Sequence, residues 1–297
     1  MATPTRTRQL MAQLLAVHPI CIGNVFFVGS TITGAANSAG RGLQVDEVFS
    51  TINYAIAACT ANNGDVVCVA QNHVETVTAA AGVAASKAGV TVVGLGRGRA
   101  RPKINYTTAV GASVDVTAAN VTFQNLVFTP IGFDAVTAAI NVSAADFAMI
   151  GCEMEFADAT NQATLGILTA AGADRMLIQD CWFHGSADAG TAACIRIAAG
   201  NDIRVLGTTI NGNFTTTLGA IDNSAAVSRL QVKNCVLANN TASSTKAIVC
   251  HASTTADLSD NIYRILSGTA PVTCAGGYGA GRSYYTAAVG VSAGTLI

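Results

Sequence analysis

The sequence is short of charge, aromatic rings and proline. Only 11% of its 297 residues are Asp, Glu, Lys or Arg, against roughly 25% in an average globular protein. Aromatic residues make up 6%, with one Trp, and there are five prolines. Net charge is −1 and the pI is near 6.4. No basic field therefore draws the chain to nucleic acid, and no aromatic residues interleave with basic ones to stack bases. No apolar run reaches the length of a membrane-spanning helix. The nine cysteines include no CxxC pair, so a structural zinc site is not expected. They read instead as reduced, buried small hydrophobes, which suits folding in a reducing cytosol. What is abundant is small and apolar: 51% of residues are hydrophobic and 29 are Gly. That composition supports an ordered chain and suits stacked short strands better than amphipathic helices. The length, about twice that of a typical domain, is no obstacle to a solenoid, which grows in one dimension.

An internal repeat supports that reading. One strand pattern occupies residues 121–128, 147–154, 176–183, 203–210 and 230–237, with a degraded copy at 256–263. Successive copies start 26, 29, 27, 27 and 26 residues apart. The middle position is Asn125, Gly151, Asp180, Gly207, Asn234 or Asp260. These residue types tolerate a left-handed backbone, so each marks a bend between two short strands. A second ladder runs in register through Val114, Ile140, Ile167, Ile195, Ile221 and Ile248. A coil alone cannot bury its apolar side, but stacked coils share one core and pair their backbone groups. Two earlier coils are expected at residues 66–69 and 90–95, the second with Gly94 at the bend.

The bend assigns sides by the strand period of two. Leu126, Cys152, Cys181, Thr208, Cys235 and Asn261 should point inward, the cysteines filling a narrow corner. Val127, Glu153, Trp182, Thr209, Val236 and Ile262 should point out, with Leu177, Ile150 and Leu206 also outward. An apolar stripe along one outer face points to a contact surface, such as parallel solenoids bundled together. The alternative is a stripe covered by side loops. On the second ladder Asp115, Asn141, Leu168, Arg196, Asp222 and Val249 should face out, with Arg196 and Asp222 forming a surface ion pair.

The ends depart from the period. Residues 46–59 read as an amphipathic helix, with Phe49, Ile52 and Ile56 on one face, covering strand edges that would otherwise aggregate. Ahead of it, Arg6 and Arg8 precede Leu10, Met11, Leu14 and Leu15. The stretch is too weakly apolar for a signal peptide, and no small-residue cleavage site follows. It is either a short helix packed on its own subunit or a basic arm that docks on a partner. The expected division is an arm over 1–42, the β-helix over 43–267, and a cap or arm over 268–297.

Candidate chemistry is thin at this level. Glycoside hydrolysis needs two carboxylates across one cleft, but Asp115, Glu153 and Asp222 lie on different ladders, and Asp174 and Asp188 in loops. Glu153 and Glu155 share a strand face, yet no partner at their level is evident. His184 and His251 are isolated and read as structural. The Gly-rich stretch 94–101, with Arg97, Arg99 and Arg101, opens no βαβ unit and is a poor phosphate loop. No catalytic, cofactor-binding or metal-ligating set is expected, and the chain is not expected to be an enzyme.

Residues 43 to about 265 resemble pectin-lyase-like β-helix proteins. The likeness is carried by the capping-helix segment from Asp46, the run Asp65-Val-Val-Cys-Val69, and His73-Val-Glu75-Thr. The wording GDVVCVAQNHVETVTAA followed by VTVVGLGRGRARPKI is similar to β-helix proteins of tailed bacteriophages. The resemblance implies an all-β, right-handed parallel β-helix (a solenoid) with an N-terminal capping helix. In phage proteins of this shape it implies a virion role. The leading expectation is a capsid decoration or cement protein made in the host cytoplasm. It would form a homotrimer on the major capsid protein, bind neither membrane nor nucleic acid, and need no cofactor. Its expected interface is Arg6, Arg8, Val127, Leu177, Trp182, Val236 and Ile262. The competing expectation is a tail-spike-type protein that binds or degrades polysaccharide.

Overall fold

The computed structural model describes residues 23–106, 110–129, 136–156, 162–185, 191–215, 218–267, 270–275, 278–279, 284–287 and 295–296. The chain winds through three sheets, visiting each once per coil. Sheet A has ten strands, from Val25–Val28 to Tyr278–Gly279. Sheet B has ten, from Val74–Val77 to Thr295–Leu296, and sheet C has eight, from Val83–Ala85 to Val272–Cys274. Every neighbouring pair is parallel except the last, where Tyr284–Ala287 meets Thr295–Leu296 antiparallel. This is the expected right-handed parallel β-helix.

The bend between sheets A and B follows from the residue types at its corner. Asn125, Asp180, Asn234 and Asp260 have φ of 57°, 52°, 54° and 61°, and Gly151 and Gly207 have 59° and 58°. Gly94 differs. It stays within the strand Thr91–Gly94, and the left-handed residue is Gly96 at φ 94°. Its lack of a side chain serves another purpose: a Cβ there would sit 2.3 Å from the Asn125 carbonyl oxygen. The Asn125 amide in turn donates to the carbonyls of Gly94 and Gly96, at 2.7 and 3.0 Å.

A second left-handed column leads into sheet A. It comprises Asn120, Asp146, Arg175, Asp202 and Arg229, with φ between 56° and 60°. Its charges alternate. Arg175 donates twice to Asp146, at 2.6 Å each, and Arg229 pairs with Asp202. Asn120, Asp146 and Asp202 are types that tolerate such a turn, but arginine is not, so Arg175 and Arg229 break the signal in the sequence.

The interior is the expected stack. Phe123, Met149, Ile178, Val205 and Val232 lie in register along sheet A and are buried. Cys152, Cys181 and Cys235 are buried beside the bend, and each thiol donates to backbone carbonyls. A small hydrophobe with a weak donor fits a corner where carbonyls converge.

The ends are more elaborate than the repeat implies. Val25–Val28, within the expected arm, pairs with Val66–Val69 as the first strand of sheet A. The capping helix α1 is shorter than expected, Ile52–Ala58. Thr51 caps it, accepting from the Tyr54 N–H at 3.3 Å. Phe49 lies before it, bridged to Val28 and packed 5.0 Å from the Tyr54 ring. Glu75 accepts from the Ile52 N–H at 2.8 Å, so a buried carboxylate ties the helix start to sheet B. Strands recur beyond residue 267 in all three sheets. Arg6, Arg8 and Asp188 lie outside the described residues.

Candidate functional site

The outer face of sheet B brings together five side chains from three coils. The strands Glu153–Phe156 and Trp182–Gly185 pair with Glu153 opposite Trp182 and Glu155 opposite His184. Side chains two apart share a face, so Glu153, Glu155, Trp182 and His184 form one square. Arg101, at the end of the Gly-rich stretch, reaches past the coil of Val127 to pair with Glu153. Arg97 and Arg99 of that stretch are exposed.

Glu153 is held from two sides. One oxygen meets the Arg101 guanidinium, and the other lies 2.7 Å from Nε2 of His184. Arg101 and Glu153 are both largely buried, which strengthens their attraction and fixes the carboxylate. The Trp182 ring stacks on His184, with centroids 3.9 Å apart and planes at 23°. Burial lowers the His184 pKa below 6.5; Glu155 opposes that shift and Arg101 adds to it. The imidazole is therefore neutral at neutral pH. In that form Nε2–H donates to Glu153, and Nδ1, with no hydrogen bond among the described residues, can act as a base. A base oriented by a fixed carboxylate is the arrangement general base catalysis uses.

Glu153, Glu155 and His184 each offer a ligand atom, all within 4.8 Å of one another. Two oxygens and a nitrogen suit a divalent ion. Such an ion would compete with Arg101 and His184, which already engage both oxygens of Glu153.

The expected outward residues fare differently. Trp182 and Ile262 are 49% exposed and Val236 is 38% exposed. With half-buried Thr209 they form one column in register. Val127 shares the column but is only 4% exposed, contrary to expectation; its coil lies between the two that the Arg101–Glu153 ion pair joins. Leu177 is half-buried on the outer face of sheet A. On sheet C, Arg196 pairs with Asp222 at 3.4 Å, as expected. Asp222 is buried rather than exposed, and desolvation raises its pKa more than Arg196 lowers it. His251 is structural, its Nδ1 accepting from the Ser253 N–H at 3.2 Å. Residues 29–48 fold over sheet A and leave a groove of about 1240 Å³ floored by Phe27, Cys68 and Val93. That groove holds no acid–base pair among the described residues.

The square on sheet B was readable from the repeat. The step from Phe147 to Met176 is 29 residues, and the same step takes Glu155 to His184. Arg101 lies off the period and gives no such signal.

No family model matches the chain, and no curated protein matches it. Among solved structures it is similar to a rhamnogalacturonan lyase, with a TM-score of 0.56 and 11% sequence identity. The match covers 82% of this chain and 68% of that one. At that identity the likeness shows the fold. It also corrects the expectation that the chain is not an enzyme, since the solved chain of the same shape is one. The ground for that expectation, an absence of converging acids and bases, fails separately at Glu153, Glu155 and His184.

Proposed function

We propose that the chain is a polysaccharide-cleaving enzyme acting on an acidic glycan by β-elimination at the outer face of sheet B. The observation that carries this is a neutral imidazole, His184, held against a fixed carboxylate beside an exposed Trp. Hydrolysis would need two independent carboxyl groups, whereas Glu153 is already engaged by Arg101 and His184. Elimination needs one base. Nδ1 of His184 takes the proton from the carbon next to a uronate carboxylate. The bond from the neighbouring carbon to the leaving sugar oxygen breaks, a carbon–carbon double bond forms, and that oxygen takes a proton from water. Trp182 offers a flat apolar face to a sugar ring. Lys103, half-buried two coils before Glu153 on the same column, supplies positive charge for a uronate. The name of the lyase that shares the fold supports a galacturonate-containing polymer as the first substrate to try.

The test is incubation with rhamnogalacturonan and polygalacturonate, reading ultraviolet absorbance of unsaturated ends. Wild-type protein should produce them, and His184→Ala and Glu153→Gln should lower the rate about 10²- to 10⁴-fold. Reducing ends without unsaturation, or full turnover by His184→Ala, would overturn the mechanism.

A second reading concerns placement. We infer a trimer standing on a phage capsid from the exposed column of Trp182, Val236 and Ile262, which suits burial between copies. It competes with the first reading at one residue, because a Trp182 buried between copies could not take a sugar ring. Mass spectrometry of dissociated virions without this chain would sink it.

A further inference from the structure

Six of the described cysteines divide into two kinds by where their side chains stand. Cys152, Cys181 and Cys235 are buried at the bend, and their thiols are spent on backbone carbonyls at 3.2 to 3.6 Å. Cys59 likewise donates to the Ala55 carbonyl at 3.3 Å. Cys250 and Cys274 are different. They end their strands, Ile248–Cys250 and Val272–Cys274, and stand opposite each other in the register of adjacent parallel strands of sheet C. Being in register on adjacent parallel strands, their side chains stand on the same face of the sheet. Cys250 is buried, but Cys274 is half-exposed.

In-register neighbours on parallel strands have Cα atoms about 4.8 Å apart. That lies inside the range of about 4.4 to 6.8 Å that a disulfide spans. The Cβ atoms must approach by about 1 Å to reach the mean disulfide separation, which is easiest where both strands end and the backbone leaves the ladder. Exposure of Cys274 gives a reagent its way in. The strand it closes is the last of sheet C among the described residues, with a neighbour on one side only. Terminal repeats of a solenoid open first for that reason.

We propose that Cys250 and Cys274 are a redox-sensitive pair that closes into a disulfide and staples the terminal coil to the body of the solenoid. The oxidant is a small-molecule disulfide. The Cys274 thiolate attacks one of its sulfurs and releases one thiol, forming a mixed disulfide. The Cys250 sulfur, losing its proton to solvent, then attacks the Cys274 sulfur and releases the second thiol. Two protein thiols are oxidised and one small disulfide is reduced to two thiols. Burial raises the pKa of Cys250, so the second step is the slow one.

The experiment uses the whole chain, treated with oxidised glutathione or with dithiothreitol, then alkylated and digested without reduction. Mass spectrometry should find one cross-linked peptide pair, Cys250 to Cys274, only in the oxidised sample. Cleavage by a dilute protease beyond residue 250 should slow at least several-fold, and Cys274→Ser should abolish both effects. Three results would overturn the proposal. One is a stable glutathione adduct on Cys274 with no cross-link. Another is a cross-link to a different cysteine. The third is the expected cross-link with unchanged cleavage. The wild-type comparison needs no variant, so a misfolded Cys274→Ser would leave the test intact.

Discussion

Glu155 stands directly opposite His184 on adjacent coils, and that pairing sets how the site responds to pH. Burial disfavours the charged imidazole while the Glu155 carboxylate favours it, and burial wins. The acid limb of the rate should therefore fall below 6.5, the ordinary value for histidine. Activity should rise with pH through that limb and be flat at neutrality. Glu155→Gln removes the favourable charge, so the limb should move to still lower pH. A pH–rate profile of both proteins checks this, and a shift to higher pH in the variant would contradict it.

Asp222 should make the fold less stable as pH rises. Desolvation raises its folded pKa above 3.8, the value for an unperturbed Asp, and Arg196 offsets only part of that. Below 3.8 the carboxyl is protonated in both folded and unfolded chains and its burial carries no charge penalty. As pH passes through the folded pKa, a charge must be held in a buried place. Asp222→Asn should accordingly be more stable than wild type at neutral pH, and equal to it well below 3.8. Urea unfolding at the two pH values reads the difference.

Glu75 joins the capping helix to the solenoid. Ser30 donates its N–H to Nδ1 of His73, which places the His73 proton on Nε2, facing Glu75 at 2.9 Å. Glu75 also accepts from Ile52 at the start of α1. Glu75→Ala should cost about 3–5 kcal/mol, as breaking a buried charged network does. Glu75→Gln should cost about 1–3 kcal/mol. Hydrogen exchange should show the amides of Ile52–Ala58 losing protection first.

Gly151 and Gly94 are needed for different reasons. A Cβ on Gly151 meets nothing within 4 Å, but φ is +59°. Gly151→Ala should cost about 1–2 kcal/mol from backbone strain alone, and Gly151→Asn less. Gly94 has no such φ, yet its Cβ would strike the Asn125 carbonyl at 2.3 Å and Pro102 at 3.0 Å. Gly94→Ala should cost about 3 kcal/mol or more, because backbone on the next coil must move. Thermal unfolding ranks the three variants.

What the sequence determined was most of what repeats. The coil length, the bend at Asn, Gly or Asp, and the inward set from Leu126 to Asn261 all follow from local rules. The preference for a left-handed backbone is a property of one residue, and inside-outside alternation a property of a few. Those rules gave Val127 its outward direction but could not say what lies over it. Tertiary structure buried it, and sent Arg101 past its coil, across 52 residues of chain, to Glu153. It likewise brought His184 to Glu153 across 31 residues, joining a histidine that reads as structural to a carboxylate that had no evident partner. The second left-handed column was obscured for a related reason: Arg175 and Arg229 are held there by aspartates one coil away. Local sequence carries the energy of the coil, whereas a site on its surface depends on which coils stack as neighbours and at what register.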